Sequence, residues 1–213
     1  MDFDIFRKLL IIIIPLIFAI TLHEVAHGWV AKKLGDNIAY LQGRLTLNPI
    51  AHIDWLGTLL VPALSFLFAG VVFGWAKPVP VIFSRLKNQK RDPILVSLAG
   101  PGANLLMIFL WLAILLALGG FTKGGNAESI AEVAIAGMQI NLVFMIFNLL
   151  PILPLDGGRV LQHLLPQKLA LQFSKTEPYG MFILMGLVVL GIITPILGFF
   201  SRIFFDSILK IIA

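Results

Sequence analysis

Residues 9–30 read LLIIIIPLIFAITLHEVAHGWV, an apolar run long enough to cross a bilayer, which takes about 20 residues of helix. Its second half carries His23, Glu24 and His27. Three ionisable groups within five residues of a membrane helix cost several kcal/mol unless they face the protein interior and find partners there. Lys32 and Lys33 follow the run at once, whereas Asp2, Asp4, Arg7 and Lys8 ahead of it cancel. The positive-inside bias therefore puts the N-terminus outside and Lys32 in the cytoplasm. The run is longer than a signal peptide's apolar region and no small-x-small cleavage pattern ends it, so an uncleaved span is expected.

The rest of the chain agrees with a membrane environment. Of 213 residues 59% are hydrophobic and 13% charged, against about half and about a quarter in a soluble domain, and the mean hydropathy is +0.97. That excludes an ordinary cytosolic globule. The chain has no cysteine, which excludes a disulfide scaffold, a thiolate nucleophile, an iron–sulfur cluster and any cysteine-ligated zinc. A metal would have to be held by His, Asp or Glu. The net charge of +5 and pI of 9.7 match the Lys and Arg that cytoplasmic loops collect, and no nucleic-acid partner is expected.

Beyond the Gly35-Asp36-Asn37 turn, Ala39–Leu47 alternates loosely and reads as a short interfacial strand broken at Gly43. The apolar run Trp55–Trp75 is interrupted by Pro62, Gly70 and Gly74 and passes into Lys77-Pro78-Val79-Pro80-Val81, which cannot be helical throughout. Lys77, Arg85, Lys87, Lys90 and Arg91 then crowd one short loop, which belongs in the cytoplasm. A third run, Ile94–Leu118, opens with Ala99-Gly100-Pro101-Gly102-Ala103-Asn104 and closes in Gly119-Gly120 before Lys123. A fourth, from Ile130 to Leu153, ends in Asn148-Leu149-Leu150-Pro151-Ile152-Leu153-Pro154-Leu155-Asp156-Gly157-Gly158-Arg159. Val160–Pro178 reads as a polar connector, Tyr179–Ile193 as a returning run, and the remainder as an amphipathic tail suited to the interface. The fold class is thus an all-α polytopic membrane protein with about four to five transmembrane helices, a re-entrant segment at 55–75 and short interfacial β-strands, without internal repeats.

His23-Glu24-Val25-Ala26-His27 is an H-E-x-x-H sequence. On a helix its two histidines lie roughly 6 Å apart along the axis on one face, so both can reach one zinc at about 2.0–2.1 Å. Glu24 lies beside that position and can take a proton from water. The bland alternative is a hydrogen-bonded cluster that glues helices together. Two histidines leave a catalytic zinc short of its usual third protein ligand. The candidates are Asp156, His52, Asp54, His163 and Asp206. Asp156 is preferred, because two prolines break the helix before it and two glycines let the backbone turn after it. Non-helical backbone at membrane depth is tolerated only in protein or beside a wet cavity. His52 and Asp54, in the interfacial loop, would line the mouth.

His23-Glu24-x-x-His27, with Asn148-x-x-Pro151-x-x-Pro154-x-Asp156-Gly157 and the Gly100-Pro101-x-x-Asn104 segment, resembles the site-2 protease family of intramembrane zinc metalloproteases, in a compact form without a PDZ module. The similarity runs from Thr21 to Arg159. It implies one membrane-embedded protease domain over residues 1–213, with a core at 9–159 and C-terminal helices at 179–213. It implies one zinc per chain, bound by His23, His27 and Asp156, with Glu24 as general base and Asn148 holding the substrate or the site; Asn104 and His52 are supporting candidates. The implied partners are membrane-anchored proteins, cut within or beside their spanning segments in the lipid bilayer.

His27 lies five residues before Lys32, about 7.5 Å of helix, which sets the metal a turn or two below the cytoplasmic surface. If His23, His27 and Asp156 meet at one depth, the first and fourth runs point the same way, with an odd number of crossings between them. The third run supplies one, so Trp55–Trp75 should enter and leave on the same side; full crossing is the alternative. A substrate helix must unwind before hydrolysis, and Ala39–Leu47 or Pro78–Phe83 would offer a strand edge to pair with it. A transporter would use intramembrane ionisable residues too but predicts repeats, and a catalytically inactive membrane scaffold is the other rival. The inner or plasma membrane of a prokaryote, as a multi-pass protein with its site toward the cytoplasm, is the expected location.

Overall fold

The computed structural model describes residues 3–69, 74–118 and 125–212; the expected end of the third run at Gly119-Gly120 and Lys123 lies outside them. Helix α1 spans Phe3–Leu34 with Pro15 inside it. It stops where the sequence provides a C-terminal signal: Gly35 adopts φ 120° and the Asp36 N–H reaches back to the Ala31 carbonyl at 2.9 Å, the closure that favours glycine after a last helical turn. A short helix α2, Ile38–Leu41, follows. A 3₁₀ turn at Pro49–His52 and a π-helical turn at Trp55–Leu60 lead into α3, Val61–Ala69. Then come α4, Asp92–Ala117, α5, Gly125–Asn148, α6, Asp156–Leu164, α7, Gln167–Ser174, α8, Glu177–Val189, and α9, Ile193–Ile212.

Arg7–Leu34, Asp92–Ala117 and Ala127–Asn148 are long and apolar enough to cross a membrane; α8 and α9, bent by 72° at the break between them, make a fourth if they act as one span. The architecture is that of an all-α polytopic membrane protein, with three or four spans among the described residues rather than four to five. Leu106 is 72% exposed and Phe109 56%, surface that suits lipid and would be costly in water.

Helices α1, α4 and α5 form the centre. Pairings between them fix their directions. His27 meets Val96 and His23 meets Asn104, so α4 runs antiparallel to α1. Arg7 pairs with Glu132 at 3.1 Å near the N-terminal ends of α1 and α5, and their C-terminal halves meet where His23 packs against Phe144, so these two run parallel. One apolar cluster joins Met107, Ile108, Trp111 and Leu115 of α4 to Ala131, Ala134, Met138 and Leu142 of α5, closed by Ile208 of α9. The spacing is one helical face on each partner. Gly137 lies beneath the Trp111 indole, where a Cβ would stand 2.6 Å from its Cδ2.

Among the described residues there are no strands. Ala39–Leu47 instead begins with α2 and closes in a turn, with Gln42 N–H bonding Ile38 O at 3.0 Å and Arg44 N–H bonding Ala39 O at 2.9 Å. The apparent alternation hid local bonds: Ala39 is buried while Tyr40 and Leu41 are both exposed, and Gly43 turns the chain at φ 66°. Pro78–Ile82 takes no regular secondary structure, Ile82 alone having recorded extended dihedrals, and Phe83 opens a 3₁₀ turn. Pro78 and Pro80 remove the N–H at two alternate positions, which leaves that edge short of ladder donors. Neither stretch is the β-strand that the sequence suggested.

The Trp55–Trp75 segment returns to where it started. Trp75 N–H bonds Gly57 O at 3.0 Å, Lys77 N–H bonds His52 O at 2.9 Å, and Thr58 Oγ1 donates to Trp75 O at 3.0 Å. Asp54 caps its beginning, accepting from Gly57 N–H at 2.7 Å. Residues 70–73 lie outside the described part of this hairpin.

Candidate metal centre

One turn of α1 separates His23 from His27, and their imidazoles meet edge to face with centroids 4.7 Å apart. Each ring is oriented from behind. His27 Nδ1 lies 2.7 Å from the Val96 carbonyl, which can only accept, so Nδ1 carries the proton. His23 Nδ1 lies 2.7 Å from Asn104 Oδ1. The Asn104 amide cannot be reversed, because its Nδ2 donates to Ala19 O at 3.3 Å and to Asn141 Oδ1 at 2.9 Å, and Asn141 Nδ2 is in turn fixed by Gly137 O at 2.8 Å. His23 Nδ1 therefore carries its proton as well. His23 is 3% exposed, Asn104 and Asn141 0%.

The two Nε2 atoms lie 3.1 Å apart, and each offers a lone pair when its ring is neutral. Asp156 completes a triangle: its Oδ2 lies 3.2 Å from His23 Nε2 and its Oδ1 3.4 Å from His27 Nε2. Oδ2 is buried and has no hydrogen-bond partner. Three potential ligand atoms thus converge in a buried place, an arrangement that a cation at its centre would satisfy. Ligands at about 2.0–2.1 Å in tetrahedral array stand about 3.3–3.4 Å from each other, close to the observed edges. His23, His27 and Asp156 are also the one candidate metal-holding group among the described residues. The donor set fits zinc.

The backbone makes this approach possible. Asp156 is the first residue of α6, a position where the helix dipole favours a carboxylate. A Cβ on Gly157 would collide with Leu149 O, and one on Gly158 would stand 2.5 Å from Leu153 N; the two glycines let α6 fold back onto the end of α5. Gly100 does the same on the other side, since a Cβ there would lie 2.6 Å from His23 Nε2. Phe144 packs its ring edge against His23, centroids 5.0 Å apart.

Glu24 points into a different contact. Its Oε2 accepts the Val79 N–H at 2.7 Å. The segment 77–82 carrying Val79 lies against α1 at Glu24 and Gly28 and is held by two more charged side chains. Arg44 donates to Lys77 O at 3.0 Å and Pro78 O at 3.3 Å, and buried Asp36 accepts Ile82 N–H at 2.6 Å and Ile38 N–H at 3.1 Å.

Of the other sequence candidates, Asn104 stands directly behind His23. Asn148 bonds Phe144 O within its own helix at 2.9 Å. His52 is buried away from the triangle, its Nε2 against Thr46 O at 3.0 Å. Asp54 is a cap, His163 Nδ1 bonds Arg159 O at 2.9 Å, and Asp206 is exposed on α9. Sequence reasoning missed Asn141, Val79 and the Val96 carbonyl. Asn141 had a signal, a polar side chain in an apolar run; the backbone groups had none.

The model of peptidase family M50 matches residues 123–191, which contain Asp156 but not the two histidines. The chain is 38% identical over 203 residues to the Bacillus subtilis protein named "Putative zinc metalloprotease YwhC", covering 94% of this chain and 90% of that one. It is 30% identical over 200 residues to Rip2 of Mycolicibacterium smegmatis, which carries the same designation, covering 93% of this chain and 71% of Rip2. Rip2 of Mycobacterium tuberculosis is 31% identical over 188 residues, 85% of this chain and 66% of its own length. No solved structure matches. With a match this long to YwhC and with the M50 segment in place, the chain belongs to the site-2 protease family, peptidase family M50, and is a membrane metalloprotease.

Proposed function

We propose that this metalloprotease hydrolyses membrane-anchored proteins within or beside their spanning segments, at one zinc held by His23, His27 and Asp156. The observation that carries the reading is the triangle formed by His23 and His27 of one spanning helix with Asp156 at the start of α6. When bound, zinc supplies Lewis acidity toward the scissile carbonyl and the attacking water. The protein's own groups do the rest. Asn104 and Val96 hold the imidazoles in the tautomer that leaves both Nε2 atoms free. Val79 N–H holds Glu24 Oε2, which leaves Oε1 to take a proton from the water and pass it to the leaving amine. The Lys32 and Lys33 flank and the basic 77–91 loop support a site toward the cytoplasm by the positive-inside bias, with the Trp55–Trp75 segment entering and leaving on that side. The shallow depth of His27 gives water a short path.

The family assignment sets the transporter alternative aside. The test reconstitutes wild-type protein and Glu24→Gln separately into liposomes with solubilised prokaryotic membrane proteins, and maps new N-termini by mass spectrometry. New termini inside or within a few residues of spanning segments, made by the wild type alone, are expected. Termini confined to soluble domains, or the same termini with both proteins, would overturn the reading.

A further inference from the structure

We propose that Arg159 and Glu177 form a positioning latch through which α8, a helix that carries no ligand, sets the affinity of the metal centre. The inference rests on the reading of His23, His27 and Asp156 as zinc ligands. The three donors are not supported alike. Each histidine has a fixed acceptor behind it, whereas Asp156 Oδ2 has no hydrogen-bond partner to aim it. The direction of the carboxylate is therefore set by where α6 begins.

The start of α6 is held from both sides by one turn of α8. Arg159, one turn after Asp156, donates from one terminal nitrogen to Glu177 Oε2 at 3.0 Å and from the other to Glu177 Oε1. This fork-to-fork geometry fixes orientation as well as distance. Gly180, one turn along α8 from Glu177, abuts the residues ahead of Asp156: a Cβ there would run into Leu153 O and stand 3.1 Å from Pro154 Cδ. Residues 177 and 180 thus grip the corner on either side of the carboxylate, Leu153–Pro154 before it and Arg159 after it. An exposed ion pair contributes little to overall stability, and at 26% and 36% side-chain exposure this one is still partly open to its surroundings. Its effect belongs in the position of Asp156, and so in metal affinity.

The experiment measures the zinc dissociation constant by chelator competition in nanodiscs, together with the apo melting temperature. The proteins are wild type, Arg159→Ala, Arg159→Lys, Glu177→Ala, the double alanine variant and, as reference, Asp156→Ala. Each single alanine variant should bind zinc about tenfold more weakly, the lower end of what partners behind a metal ligand contribute. The double variant should be no weaker than the singles, since both remove one interaction. Arg159→Lys, which keeps the charge but loses the fork, should fall between wild type and Arg159→Ala, and the apo melting temperature should hardly move. Zinc affinities equal to wild type, or alanine effects that simply add, would overturn the latch. A lowered melting temperature with unchanged affinity would overturn it too and assign the pair to the fold alone. Failure of the underlying ligand reading looks different: wild type binding no zinc, or Asp156→Ala binding it fully.

Discussion

The metal cradle and the 77–82 segment beside it are secured by opposite means. In the cradle, side chains hold side chains: Asn141 fixes Asn104, which fixes His23, all at 3% exposure or less, between three long helices. In the segment, charged side chains hold backbone: Glu24 takes Val79 N–H, Asp36 takes Ile82 N–H and Arg44 takes two carbonyls. The cradle is therefore preorganised by interlocked buried side chains, while the segment is held by three side chains that can be removed one at a time. Glu24 belongs to both, with its backbone in the cradle helix and one carboxylate oxygen on the segment.

This contrast can be broken where it is sharpest. Glu24→Gln keeps an oxygen for Val79 N–H but removes the base, so proteolysis should fall by about 10²–10⁴-fold with zinc content unchanged; activity within threefold of wild type would take Glu24 out of the chemistry. Within the cradle, Asn104→Ala removes the acceptor behind His23, and zinc affinity should drop by about 10–100-fold in a chelator competition. Asn141→Ala should cost less, because Asn104 keeps its bond to Ala19 O; a larger effect than Asn104→Ala would show that the chain of amides is not ordered as described. Asp36→Asn weakens two backbone contacts of a buried carboxylate, bonds of about 1.5–3 kcal/mol each at full strength. Limited proteolysis should then cut more readily between residues 74 and 85 while the zinc dissociation constant stays within about twofold, the least that partners behind a ligand are worth being tenfold. Arg44→Ala, whose bonds are exposed, should give the smallest change of the set.

The same division explains what could be read from the sequence. The span Leu9–Val30, the pair His23 and His27 one turn apart, and Asp156 between helix-breaking prolines and glycines are side-chain signals, and the structure brings these three residues together. Asn104 was reached through the family resemblance, by its Gly100-Pro101-x-x-Asn104 segment. The region from Ala39 to Phe83 was not. Its loose alternation suggested strands, but the chain there is organised by capping, by Gly43 and by carboxylates that bind backbone N–H groups, interactions that leave no periodic trace. Pro78 and Pro80 did warn against a paired strand. The support from α8 was hidden because Glu177 and Gly180 meet the Asp156 corner only after the chain has turned through α6 and α7.

The central claim is the three-ligand centre, and elemental analysis of detergent-purified protein tests it without a substrate. Wild type should carry about one zinc per chain, the stoichiometry of a single catalytic site, and His23→Ala and Asp156→Ala should each lose or weaken it. Full zinc retention in Asp156→Ala, or folded wild type that binds no zinc, would contradict the account.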